Sequence, residues 1–154
     1  MIWKLPPSIK IYEALGSVAD GRIELTDDGA KVYSSSRKKF YTVTYDKEKN
    51  AIMANDNGSF WQGYLGYPAI AYLMLVGEIK YEPKIAEALK DIAWKEVNSK
   101  FKNDYEKTIA YVQRLAEERG VTVKSLVAAV DDIAQQLADL KLKPLGAKQK
   151  PPHE

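Results

Sequence analysis

The chain has no cysteine among its 154 residues. Disulfides, thiolate metal sites and cysteine nucleophiles are excluded together. Histidine is nearly absent: the one imidazole, His153, stands next to last in a stretch rich in proline and lysine. An imidazole that holds metal or moves protons needs a neighbour to orient it, and a chain end rarely provides one. Long apolar runs are missing too. The longest, residues 69–76, falls far short of the roughly 18 residues of a membrane span. The opening Met-Ile-Trp-Lys-Leu-Pro-Pro is not a secretory leader. These absences predict a cytoplasmic protein with no metal, no cofactor and no membrane partner.

Catalytic patterns are equally scarce. Gly63 and Gly66 are not followed by the Lys-Ser/Thr of a phosphate loop, and no serine stands beside a histidine that could activate it. The doublet Asp27-Asp28 reads as turn chemistry, and Asp131-Asp132 as the solvated side of a helix. Nothing fits an active-site constellation, so the expectation is a protein that is not an enzyme.

What is present suits one soluble domain with one core: 45% of residues are apolar and 29% charged. Ser8 is placed to cap a short amphipathic helix carrying Ile9, Tyr12 and Leu15, with Gly21 as its stop. From residue 22 the period changes to that of strands. Asp27-Asp28-Gly29 signals a tight turn, and Phe40-Tyr-Thr-Val-Thr-Tyr45 is dense in β-formers. Residues 22–55 therefore predict an antiparallel meander of three or four strands. Pro68 predicts the start of a buried helix to about Leu75. Pro83 predicts a long amphipathic helix through Ile85, Leu89, Ile92, Val97 and Phe101. Asn103 with Glu106 resembles a capping box for the next helix, which Gly120 ends.

Thr122 can cap the last helix. Its residues Val123, Leu126, Val130, Ile133, Leu137 and Leu140 are spaced 3, 4, 3, 4, 3, the seam of a coiled-coil dimer. The competing reading is a helix that packs back on its own domain. The whole predicts an α+β fold: N-terminal helix, small antiparallel β-meander, helical body and a C-terminal coiled-coil-like dimerisation helix. The divisions are residues 1–121 for the domain, 122–143 for the dimer helix and 144–154 for a disordered basic tail.

The net charge of +2 is small, so the placement of charge matters more than its sum. Lys31, Tyr33, Arg37, Lys38, Lys39, Phe40, Tyr41 and Tyr45 fall close together, and no acid lies between Gly29 and Tyr45. Trp61, Tyr64 and Tyr67 follow. Single-stranded nucleic acid asks for this mixture, with cations on the phosphates and aromatic faces on unpaired bases. The expected nucleic-acid-binding set is Lys31, Tyr33, Arg37, Lys38, Lys39, Phe40, Trp61, Tyr64 and Tyr67. Trp61 and Tyr64 would share a face if their segment were helical. Alternation along a strand sends some of these rings into the core, Tyr41 and Tyr45 among them, and the basic turn could be a merely solvated one.

The succession of helix, small sheet, helical body and zipper-like last helix resembles the ThermoDBP-type single-stranded-DNA-binding proteins of hyperthermophilic archaea. The absence of cysteine and the short loops suit a thermophile. The resemblance is one of layout, and it carries no site residue across by position. It implies sequence-independent single-stranded-DNA binding by a homodimer, in a cleft with an apolar floor and a basic rim; it leaves DNA versus RNA open. A second, local resemblance joins Tyr41-Thr-Val-Thr-Tyr-Asp46 and residues 52–73 to the strand-turn-helix of a SWIM zinc finger. Its four ligand positions fall near Met53, Asn55, Ala69 and Ala71, none of which can bind zinc. It implies the alternative function, a zinc-free protein-interaction adaptor with no direct nucleic-acid binding.

Overall fold

A computed structural model describes residues 1–152; His153 and Glu154 lie outside the described residues. The architecture is mixed α+β, with a five-stranded sheet against a body of helices. The strands are β1 (Ile23–Leu25), β2 (Gly29–Tyr33), β3 (Phe40–Asp46), β4 (Ala51–Ala54) and β5 (Lys143–Pro144), in that spatial order. β1 to β4 form the antiparallel meander that the alternating pattern predicts, with Tyr33 opposite Phe40 and Val43 opposite Ala54. β5 adds in parallel, Ala51 opposite Lys143.

The helices are α1 (Ser8–Ala19), α2 (Tyr67–Leu75), α3 (Pro83–Glu87), α4 (Trp94–Lys100), α5 (Tyr105–Glu118) and α6 (Val123–Leu140). Between β4 and α2 runs a π-helical turn, Gly58–Gln62. α2 packs on β1 to β4 with one side and on α1 with the other, and α1 also meets α3, α5 and α6. α1 is thus an interior helix rather than a surface one. Ile9, Ile11, Leu15, Ile70, Leu73 and Leu126 are fully buried around it, each contributing roughly 1.5–3 kcal/mol of apolar burial.

Four sequence expectations change. Ser8 does not cap α1: Pro7 occupies that position, extended, and its carbonyl accepts from the Lys10 amide at 3.0 Å. The long helix from Pro83 is two short ones, because Asp91 turns left-handed at φ 60° and breaks the run. The cap of α5 is Asp104, not Asn103; its side chain accepts from the Lys107 amide at 3.3 Å. The residues meant for a disordered tail begin on the sheet, since Leu145 N–H donates to the Ile52 carbonyl at 3.1 Å and Leu145 packs on the core. Thr122 does cap α6, accepting from the Ser125 amide at 3.1 Å.

The residues of the predicted dimer seam are placed largely inside this one chain. Leu126, Val130, Ile133 and Leu137 are buried within this one chain, where α6 packs on α1 and α5. Leu140 and the flanking Ala129 and Ala134 pack on the same core, and Val123 is half-buried. The alternating spacing of three and four suits a helix laid on its own domain as well as a coiled coil, and here the stripe, widened by Ala129 and Ala134, packs on the domain. Among the described residues no helix is long and apolar enough to cross a membrane.

The two ends of the chain meet at β5. Trp3 donates its amide to the Leu142 carbonyl at 2.9 Å and its indole N–H to the Ile52 carbonyl at 3.0 Å. Asn50 Nδ2 donates to the Leu140 carbonyl at 2.8 Å, fixing the end of α6 beside β4.

Candidate functional site

Strand alternation divides the predicted basic and aromatic cluster between two faces. On the outer face of the sheet lie Lys31, Tyr33 and Phe40. The Tyr33 and Phe40 rings are 5.7 Å apart, and Lys31 Nζ stands 5.0 Å above the Phe40 ring. Phe40 is 39% exposed despite these neighbours. The Tyr33 hydroxyl donates to Glu24 Oε2 at 2.9 Å, and this bond raises its pKa.

Tyr41 points the other way and is buried. Lys39 Nζ lies 5.6 Å from its ring centre, and Tyr41 meets Tyr67 edge-on at 6.0 Å. Burial drives the Tyr67 phenol well above its ordinary pKa, against the weaker opposing pull of Arg22. Tyr67 therefore lines the cleft wall and is not an exposed stacking ring.

The turn between β2 and β3 carries Arg37, Lys38 and Lys39. It closes through the Arg37 amide to the Ser34 carbonyl at 2.8 Å and the Ser34 amide to the Lys39 carbonyl at 2.9 Å. Arg37 holds a left-handed φ of 62°, and its Nη2 donates to the Asp20 carbonyl at 2.8 Å. Arg37 is thus a brace between the turn and the end of α1. Lys38 and Lys39 reach a cleft on the inner side.

That cleft, about 490 Å³, opens between the turn, α1 and α4. Its volume lies within the roughly 300–1,000 Å³ of small-molecule sites. Among the described residues lining it, five are cationic, Lys10, Arg22, Lys38, Lys39 and Lys95, and Glu13 is the one acid. Ser34, Ser35 and Ser36 add hydroxyls at the mouth.

The floor is built from buried polar groups. Arg22 is 2% exposed. Its Nε donates to Asp20 Oδ2 at 3.1 Å and its Nη1 to the Tyr33 carbonyl at 2.9 Å, while its guanidinium lies 5.7 Å from the Tyr67 ring centre. Among the described residues no group lies within hydrogen-bond distance and geometry of Nη2, although the Tyr67 phenol stands near enough to the guanidinium to feel its pull. Glu13, also buried, accepts from Asn98 Nδ2 at 3.4 Å. Its pKa is raised, because burial outweighs the opposing pull of Lys10, Asn98 and Arg22. Burial works to lower Lys10, but Glu13 and the nearby Tyr105 outweigh it and the pKa rises. Trp94 completes the floor. Its indole nitrogen also lacks a partner among the described residues, but it faces Gly16, where a Cβ would lie 3.0 Å away. That close approach explains the glycine and takes the indole N–H out of the cleft's chemistry.

Trp61 and Tyr64 are not brought to the basic turn. Trp61 is 68% exposed on the π-helical turn, edge-on to Phe60 at 4.6 Å. Gly63, left-handed at φ 75°, ends that turn before Tyr64, so the two rings do not share a helical face. The turn is held by Asp56, which accepts from the Ser59 amide at 3.2 Å and the Ser59 hydroxyl at 2.6 Å. A methyl group at Gly66 would overlap that carboxylate. The positions aligned with SWIM ligands are packed or paired: Met53, Ala69 and Ala71 are core, and Asn55 Oδ1 accepts from the Thr42 amide at 2.8 Å. Among the described residues no cluster of three or more His, Asp or Glu could hold a metal ion.

Sequence reasoning missed Lys10, Glu13, Arg22, Trp94, Lys95 and Asn98, which the fold collects from distant segments. One signal was available: Glu13 interrupts the apolar run Ile11, Tyr12, Ala14, Leu15.

Fold and site together define an α+β domain with a basic cleft set between its sheet turn and its helices. The chain belongs to the family described as uncharacterised conserved protein UCP014422, whose model matches residues 3–143. That span holds every cleft residue named above. Neither the curated proteins nor the solved structures contain a match to it.

Proposed function

We propose that this chain binds single-stranded nucleic acid, with phosphates drawn to the cleft and bases to the neighbouring aromatic surface. The observation that carries the reading is the convergence of Lys10, Arg22, Lys38, Lys39 and Lys95 on one cleft, where the described lining residues include one acid, Glu13, and Asp20 pairs with Arg22 from outside the lining. Such a field attracts polyanions, and salt-dependent phosphate contacts supply most of the affinity of sequence-tolerant binders. Phe40 beside the turn, with Lys31 above its ring, offers a face for an unpaired base, worth roughly 1–3 kcal/mol per stacked base. No catalytic step is part of this reading, and a cytoplasmic site of action is. A protein-interaction role is the second reading, favoured by the exposed Met1, Ile2 and Leu5 at the N-terminus.

The test is a titration with a roughly 20-nucleotide oligo-dT at several salt concentrations, following tryptophan fluorescence; the log–log slope should approach −0.7 per phosphate contacted. Trp94 lines the cleft and Trp61 does not, so quenching should survive Trp61→Phe. Absence of binding at low salt would discard the nucleic-acid reading and turn attention to the apolar N-terminal segment.

A further inference from the structure

The Arg22 guanidinium is buried to 2% exposure, fixed by two of its nitrogens, and left with Nη2 unpaired among the described residues. A buried donor without an acceptor costs about 1–3 kcal/mol, and native folds keep such groups rarely and for a reason. Here the group is part of the wall of a cleft rich in cations. We infer that the cleft floor is a receptor for a phosphomonoester, seated on Arg22 and flanked by Lys10 and the turn lysines.

Three features select a terminal phosphate over an internal one. The floor is closed by Arg22, Glu13 and Trp94, all buried, while Lys38 and Ser36 at the mouth are exposed. A phosphodiester within a strand would have to bring both its neighbours down to the floor, and the cleft has the volume of a single small-molecule site. A monoester enters from one side and presents three unesterified oxygens carrying nearly two charges. That charge suits a lining that is mostly cationic among the described residues, and a guanidinium donor fixed in place by Asp20 and the Tyr33 carbonyl binds such oxygens without first losing side-chain freedom.

The inference rests on the nucleic-acid reading only for what carries the phosphate, either a strand end or a free nucleotide. The experiment separates these. Oligo-dT bearing a 5′-phosphate, a 3′-phosphate or neither is titrated beside thymidine monophosphate. We expect at least a tenfold preference for one phosphorylated end, and in Arg22→Lys a loss of affinity at least tenfold larger for that phosphorylated strand than for the hydroxyl-ended one. Glu13→Gln, which removes the floor's carboxylate but keeps its shape, should tighten the phosphorylated ligand several-fold; it keeps the test decisive if Arg22→Lys does not fold. Binding of thymidine monophosphate without any oligonucleotide would keep the receptor and discard the nucleic-acid reading. Equal affinity for phosphate- and hydroxyl-ended strands, with no monophosphate binding, would overturn the receptor and leave nucleic-acid binding intact. Failure of every ligand to bind would overturn both.

Discussion

Arg22 and Tyr33 hold each other twice: the Tyr33 amide donates to the Arg22 carbonyl at 2.9 Å, and Arg22 Nη1 donates to the Tyr33 carbonyl at 2.9 Å. The pair ties the start of β1 to the end of β2 and so aims the guanidinium. Asp20 supports the same group through Nε and separately accepts from the Asp91 amide at 2.7 Å. The break between α3 and α4 is thereby linked to the cleft. Arg22→Ala strands a buried carboxylate, and the expected loss is about 3 kcal/mol, in the range for a buried pair broken from one side. Urea denaturation measures it. A loss below about 1 kcal/mol would mean the pair behaves as an exposed one.

Leu126 is fully buried between α6 and the body of the same chain. Leu126→Ala should cost about 3 kcal/mol through lost burial and the cavity left behind. The unfolding midpoint should not depend on protein concentration. A midpoint that rises with concentration in the wild type would instead make the stripe on α6 an interface between copies.

Glu13 gives stability a pH dependence of definite sign. Its folded pKa lies above the ordinary glutamate value because it is buried. Between those two values the folded chain holds a proton that the unfolded chain has released, so stability falls as pH rises through that window and is level above it. Glu13→Gln should flatten the profile there. Thermal melts across the acid range, wild type against variant, test this; parallel profiles would show that the carboxyl is not the source.

Arg37, Lys38 and Lys39 share a turn but not a role. The triple alanine variant should weaken oligo-dT binding about tenfold and make its salt slope shallower by about 0.7 for each phosphate no longer held. Arg37→Ala alone should lower stability, because its Nη2 braces the Asp20 carbonyl, and should change the slope little. An unchanged slope in the triple variant would remove the turn from the binding site.

The meander was legible because local chemistry decides it: Asp27-Asp28-Gly29 makes a turn in any context, and β3 alternates cleanly between Phe40 outward and Tyr41 inward. The caps at Asp104 and Asn103 differ by one position, within what short polar neighbours leave open. The seam is ambiguous for a different reason, since the same spacing serves a partner helix and the chain's own core. Of the cleft only Lys38, Lys39 and Tyr67 were in the set read from the sequence. Its cations come from α1, the segment before β1, a hairpin turn and α4, and only tertiary packing makes Lys10 and Lys95 neighbours of Lys38. The turn was found from its run of charge, while Arg22 looked like an ordinary residue at a strand's start.

The parallel pairing of β5 with β4 also sets a timetable. Trp3 leaves the ribosome long before Leu142, whose carbonyl receives its amide. At roughly 5–20 residues per second, the partner follows on the order of ten seconds later. From the making of β4 until β5 follows, the outer edge of β4 is bare, and a bare edge invites pairing with another nascent chain. The sheet cannot be sealed until Lys143 and Pro144 have been made, so a segment far along the sequence is the latch for one made long before it.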